Sequence, residues 1–154
     1  FILFSQKYQA DPTLSTYSGN PETELNALTE ALIKNKSFDY EKYISLFDNA
    51  MKNAFYLFGP YSFRKSKLEH LEPGAYRQLI NKALFVSWGV LLSKYDNEKV
   101  ESMNAKECLA RPLADRISYD SDFFAKLTYG TNARLNLQVA FKAAEEIIQQ
   151  QLLL

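Results

Sequence analysis

The chain has 154 residues, 47% hydrophobic and 23% charged, and its 18 Lys and Arg balance 18 Asp and Glu. That length suits one domain with its own core, and zero net charge supplies no global field for nucleic acid or for a basic partner. One cysteine, Cys108, excludes an internal disulfide framework and fits a reducing cytoplasm. One histidine, His70, argues against a conventional zinc site, and no apolar run approaches the ~20 residues that cross a bilayer.

Residues 1–5, Phe-Ile-Leu-Phe-Ser, read as the tail of a helix cut from a longer protein, so the chain is expected to be a C-terminal fragment. Pro12, Gly19, Pro21 and several Ser and Thr make residues 1–21 a loop-like lead-in. Residues 22–35 set Leu25, Leu28, Leu32 and Ile33 on one helical face. Residues 39–58 give the clearest period. Tyr40, Tyr43, Ile44, Phe47, Ala50, Met51, Ala54, Phe55 and Phe58 form its expected buried stripe. Glu41, Lys42, Ser45, Asp48, Asn49, Lys52 and Asn53 form the expected wet face, Asp39 the N-cap, and Gly59-Pro60 the stop.

Pro60, Pro73 and Gly74 mark a long connection with a short helix near 66–71. Residues 78–95 are apolar nearly all round, which predicts a buried central helix. Asp96-Asn97 caps a weaker segment over 98–117, in which Pro112 predicts a break near 110. A short helix over 121–127, a turn at 129–132 and an amphipathic last helix over 133–152 complete the chain. The expected architecture is all-α: one irregular bundle of five to seven helices around the central one.

Chemical motifs are sparse. The sequence holds no glycine-rich phosphate loop, no Cys-x-x-Cys pair and no His-Glu-x-x-His. Glu145 and Glu146 are adjacent on a helix and read as a solvated face; Asp115, Asp120 and Asp122 read as caps before they read as metal ligands. His70 reads as an exposed loop histidine and Cys108 as a packing residue. The feature left is cationic. Arg64, Lys65, Lys67, Arg77 and Lys82 face only Glu69 and Glu72 over residues 60–82, with Tyr61, Phe63 and Tyr76 interleaved. Either this is a phosphate-binding surface, or it is a solvated loop whose rings tuck into the core.

The stretch over 50–65 and 80–100 resembles the helical C-terminal region of a large bacterial family that includes the GmrS part of modification-dependent (type IV) restriction enzymes. Members show an F-G-x-x-A-F-R pattern, then P-I-N-K-A-L-F-E opening a helix that ends in W-S-x-x-L. This chain offers Phe58-Gly59, Phe63-Arg64, the run from Ile80 through Asn81, Lys82, Ala83, Leu84 and Phe85, and then Trp88. Asp122-Phe123 and Gly130-Thr131 follow in the family's order, so the likeness covers roughly residues 45–150. Ser62, Leu79 and Val86 depart from the pattern at the family's Ala, Pro and Glu, and Val139-Ala140-Phe141 replaces a frequent Arg before Phe.

The resemblance implies a cytoplasmic, DNA-acting defence protein. Its ParB- and sulfiredoxin-like N-terminal domain would carry a D-G-Q-Q-R motif, with nucleotide and divalent metal there. That motif is absent from this chain, and no catalytic residue or cofactor is assigned to it. The helical region would support that domain, form a homo-oligomer or partner interface, or help to hold DNA through the five cations. The competing expectation is a helical interaction or dimerisation module that never touches nucleic acid, using the amphipathic last helix.

Overall fold

The computed structural model describes residues 1–152. The chain is all-α, with eight α-helices among the described residues: α1 (Ile2–Ala10), α2 (Pro21–Lys34), α3 (Tyr40–Phe58), α4 (Lys82–Leu92), α5 (Asn97–Ser102), α6 (Ala110–Tyr119), α7 (Ser121–Lys126) and α8 (Arg134–Leu152). Short 3-10 turns occupy Gly59–Tyr61 and Leu68–Leu71. The only β-type pairing among the described residues is an isolated antiparallel bridge between Arg64 and Ile80.

The count exceeds the expected five to seven for two reasons. Residues 1–21 are not merely a lead-in: Leu3, Phe4 and Tyr8 anchor α1 in the core, and Leu14 and Tyr17 of the following loop are fully buried. Asp11 fastens that loop, accepting hydrogen bonds from the Thr13 and Ser15 backbones at 2.9 and 2.8 Å and from both hydroxyls. These bonds hold its carboxyl well below the usual range. The expected single segment over 98–117 also splits into α5 and α6. Pro112 sits in the first turn of α6, where a missing N–H costs nothing, and the break lies before it, at Asn104 and Glu107 with positive φ.

Lys82 is the only charged residue of α4, and the helix packs chiefly on α8 and α3. Its core includes Leu84, Trp88 and Leu92, and Trp88 meets Phe58 edge-on with ring centroids 4.8 Å apart. It is shorter than the expected 78–95. Asn81 is extended and caps it, its side-chain oxygen accepting the Leu84 N–H at 3.1 Å. Upstream, Ile80 is exposed, outside the core position its period gave it.

The far end of α4 explains a second correction. The Asn53 amide is completely buried and donates to the carbonyls of Leu92 and Tyr95 at 3.0 and 2.8 Å. Asn49 donates to Ser93 at 3.2 Å. Asn49 and Asn53, expected on the wet face of α3, therefore cap α4, while Glu41, Lys42, Ser45, Asp48 and Lys52 of that face are exposed as expected. Ala50 and Ala54 beside Asn53 are small enough to let the two helices close, and several large apolar side chains turn outward: Tyr40 is 50%, Ile44 60% and Phe55 70% exposed, while Phe58 stays buried. Phe55 does not seal the helix–helix core.

Candidate functional site

The five cations predicted as phosphate contacts do different things. Arg64 is a brace. Its Nε donates to the Pro60 carbonyl at 3.0 Å and its guanidinium also reaches the Gln78 carbonyl, tying both ends of the long connection together. Phe63, with φ of +59°, is buried before it, and the Phe63 carbonyl accepts the Asn81 N–H at 2.8 Å. Arg64 therefore braces backbone carbonyls with two of its five N–H donors.

Lys65 and Lys67 place their ammonium groups each 4.6 Å from the centroid of the Phe124 ring. Such contacts contribute about 0.5–1 kcal/mol at exposed sites. Lys65 also donates to the Thr128 hydroxyl at 2.7 Å. Burial first, and the neighbouring Lys67 charge second, push its ammonium below the ordinary lysine value. Arg77 is exposed, between Tyr76 at 78% and Leu79 at 80% exposure. Lys82 is exposed on the first residue of α4. None of the five has a carboxylate within 4.0 Å among the ion pairs of the described residues. A cation in the first turn of a helix is unfavourable by ~0.3–1 kcal/mol, and α4 has no acidic residue there to offset it.

Lys65 and Lys82 meet across one cleft of about 380 Å³, with Asn81, Thr128 and Thr131 on its walls. Asn81 is wall only: its oxygen caps α4 and its amide donates to the Leu127 carbonyl at 2.6 Å. Lys67 and Arg77 do not line it. Thr128 was not among the residues singled out in the sequence. It stands 63 positions from Lys65, and only the packing of α7 beside the connection joins them.

The motif residues are mostly architectural. Phe58, Phe63, Leu84 and Trp88 share the core, and Phe85 meets Phe63 edge-on at 5.1 Å. Gly59 adopts φ of +55° and ψ of −133°, a conformation essentially reserved for glycine. Gly130, at φ of +61°, turns its carbonyl to the Asn136 amide at 3.0 Å. Thr131 alone reaches the cleft.

Other expected roles change too. His70 is half-buried, and its Nδ1 accepts the Lys67 N–H at 2.8 Å, closing the 3-10 turn. Glu145 is no solvated residue, since the Tyr8 phenol donates to it while stacking on Phe141 at 4.3 Å between centroids. Burial and that carboxylate push the Tyr8 hydroxyl upward. Asp120 caps α7 and pairs with Arg116 at 3.0 Å, while Asp122 pairs with Lys126. Burial raises the Cys108 thiol, as suits a packing residue. The apolar stripe of α8 is buried within the chain; exposed apolar residues lie on α2, which buries no residue, with Ile33 75% exposed, and on α3.

No helix among the described residues is long and apolar enough to cross a membrane. No protein-family model matches the chain, and neither a curated protein nor a solved structure matches it.

Proposed function

We propose that this chain is the accessory helical region of a cytoplasmic, DNA-acting bacterial protein of the modification-dependent restriction type that its motifs resemble. In this reading the chain contributes backbone-phosphate contacts through Lys65, Lys67, Arg77 and Lys82. Nucleotide hydrolysis and DNA cleavage belong to other domains. The supporting observation is that Lys65 and Lys82 line one cleft, and that none of the four cations has a carboxylate partner among the described residues, on a chain whose overall charge is zero. Arg64 leaves the contact set because its guanidinium is anchored on the Pro60 and Gln78 carbonyls, within the connection, and does not line the cleft.

Duplex DNA binding at several salt concentrations tests this. Each phosphate contact removed flattens the plot of log affinity against log salt by about 0.9. A variant with Gln at 65, 67, 77 and 82 should bind weakly and with a flatter slope. Unchanged affinity and slope, in a variant that melts like the parent, would overturn the reading.

A second reading, a protein-interaction module, is favoured by the apolar hollow of about 430 Å³ between α2 and α3, which Leu25, Tyr40, Ile44 and Phe47 line. Ile44→Glu should then solubilise or dissociate an assembly without lowering the melting temperature. DNA binding should be untouched.

A further inference from the structure

The cleft holds an imbalance of donors. Lys82 makes no hydrogen bond or ion pair among the described residues, and the same holds for the Thr131 hydroxyl. Lys65 has one polar partner, the Thr128 hydroxyl, which is itself occupied in donating to the Phe124 carbonyl at 2.7 Å. An ammonium carries three N–H donors, so two on Lys65 and all three on Lys82 remain for a ligand. The Asn81 side chain is satisfied at both ends and offers nothing further.

Glu22 is the carboxylate to consider. It lines the adjoining hollow with Lys82, together with Leu25 and Asn26, but it forms no ion pair with that lysine. The cleft proper contains no acidic residue. Two lysines on separate elements, one of them partly desolvated, thus line one cleft together with two hydroxyl residues and no acidic residue. A phosphate monoester brings close to two negative charges near neutral pH and three acceptor oxygens. A single carboxylate would leave one ammonium unmatched. A cleft of about 380 Å³ lies in the ordinary range of small-molecule sites and has no room for a duplex.

Resting on the phosphate-binding reading above, we propose that this cleft is a discrete seat for one phosphate-monoester group, held by Lys65 and Lys82 across it and by the Thr131 hydroxyl. The group is either free phosphate or the terminal phosphate of a nucleotide or DNA end. Lys67 and Arg77, outside the cleft, are left to follow a passing backbone.

The test is NMR titration of the 154-residue chain with inorganic phosphate, with chloride at matched ionic strength as the blank. Saturable shifts should appear at Lys65, Lys82 and Thr131, and the Lys65 ammonium should titrate at higher pH when phosphate is bound. Lys82→Gln, at an exposed position, should weaken phosphate about tenfold, as loss of one charge-assisted partner does. Lys142→Gln, on exposed surface elsewhere, should leave it unchanged. Tighter binding of a 5′-phosphorylated than of a 5′-hydroxyl oligonucleotide would identify a chain end as the source. Equal binding of both, with phosphate still saturable, would identify free phosphate. Shifts no larger than chloride produces would overturn the seat. If DNA affinity then still falls in the variant lacking all four cations, the backbone reading survives alone; if phosphate saturates but DNA does not bind, the seat stands and that reading falls.

Discussion

Asn53→Ala removes the polar group that closes the C-terminal end of α4. In the parent its amide serves two carbonyls, Leu92 at 3.0 Å and Tyr95 at 2.8 Å, and its oxygen accepts the Asn97 amide at 3.0 Å, all around a side chain with no exposure. A typical hydrogen bond contributes about 0.5–1.5 kcal/mol net, while a buried group left without a partner costs about 1–3 kcal/mol. Two carbonyls are affected, but Asn49 still donates to the Tyr95 and Ser93 carbonyls, so Leu92 alone loses its side-chain donor, while Asn97 loses its acceptor. The expected loss is therefore about 2–4 kcal/mol, or roughly 4–16 °C in melting temperature for a domain of this size. Urea denaturation should show a lower midpoint with an unchanged slope. A loss below about 0.5 kcal/mol would refute the claim that this buried amide fastens α3 to α4.

Asn53→Asp sharpens the same argument. A carboxylate there would face two carbonyl oxygens, so burial and repulsion should raise its folded pKa above the ordinary ~3.9. With the folded pKa raised, the neutral acid is the form the fold retains. Stability is then fully present below the unfolded pKa and falls as pH rises toward the folded one. The variant should be closest to the parent in acid and furthest from it at neutral pH. The opposite slope would mean that the side chain has rotated into solvent.

Trp88→Ala should cost about 3–5 kcal/mol by denaturation, because the ring is 1% exposed against Phe58; a cost below about 1 kcal/mol would contradict its central place. Trp88→Phe should cost far less than the alanine change, because the buried indole N–H has no acceptor and its removal relieves that penalty. Gly59→Ala should lose about 1–3 kcal/mol through its backbone conformation, seen as a lower urea midpoint, since its φ and ψ suit glycine alone. The hydroxyls of Tyr8, Tyr17 and Tyr95 are all raised above the ordinary 10.0, so stability should fall as pH climbs past that value, and Tyr8→Phe should flatten the decline of melting temperature with pH.

The helical class, the buried stripe of α8 and the place of Trp88 follow from period alone, because each rests on large residues recurring on one face. The rotation of α3 does not. Ala50, Ala54 and Phe58 of its expected stripe are buried, but so is Asn53 of the opposite face, while Tyr40, Ile44 and Phe55 of the stripe are exposed. Ala50 and Ala54 bury little area themselves, but they let α4 approach closely enough for Asn53 to reach its end carbonyls. Satisfying those carbonyls outweighs covering Phe55, a competition that no count of apolar positions contains. The boundary of α4 was misplaced for a related reason: Asn81 reads as a helical residue in an apolar run, until its partners, Leu84 and the distant Leu127, show it to be a cap.

The cationic loop shows the same division between local and distant partners. By charge alone Arg64 and Lys65 are equivalent neighbours. By geometry Arg64 binds carbonyls four and fourteen residues on either side, while Lys65 finds its hydroxyl 63 residues away. A guanidinium presents a planar fork suited to holding two backbone oxygens at once, whereas an ammonium is a compact charge that can keep donors free. The arginine therefore shapes the connection, and the lysine beside it is held at the cleft with its remaining donors available. Charge counts in the sequence treat the pair as two ligands. The physical chemistry of the two side chains makes one the support of the other.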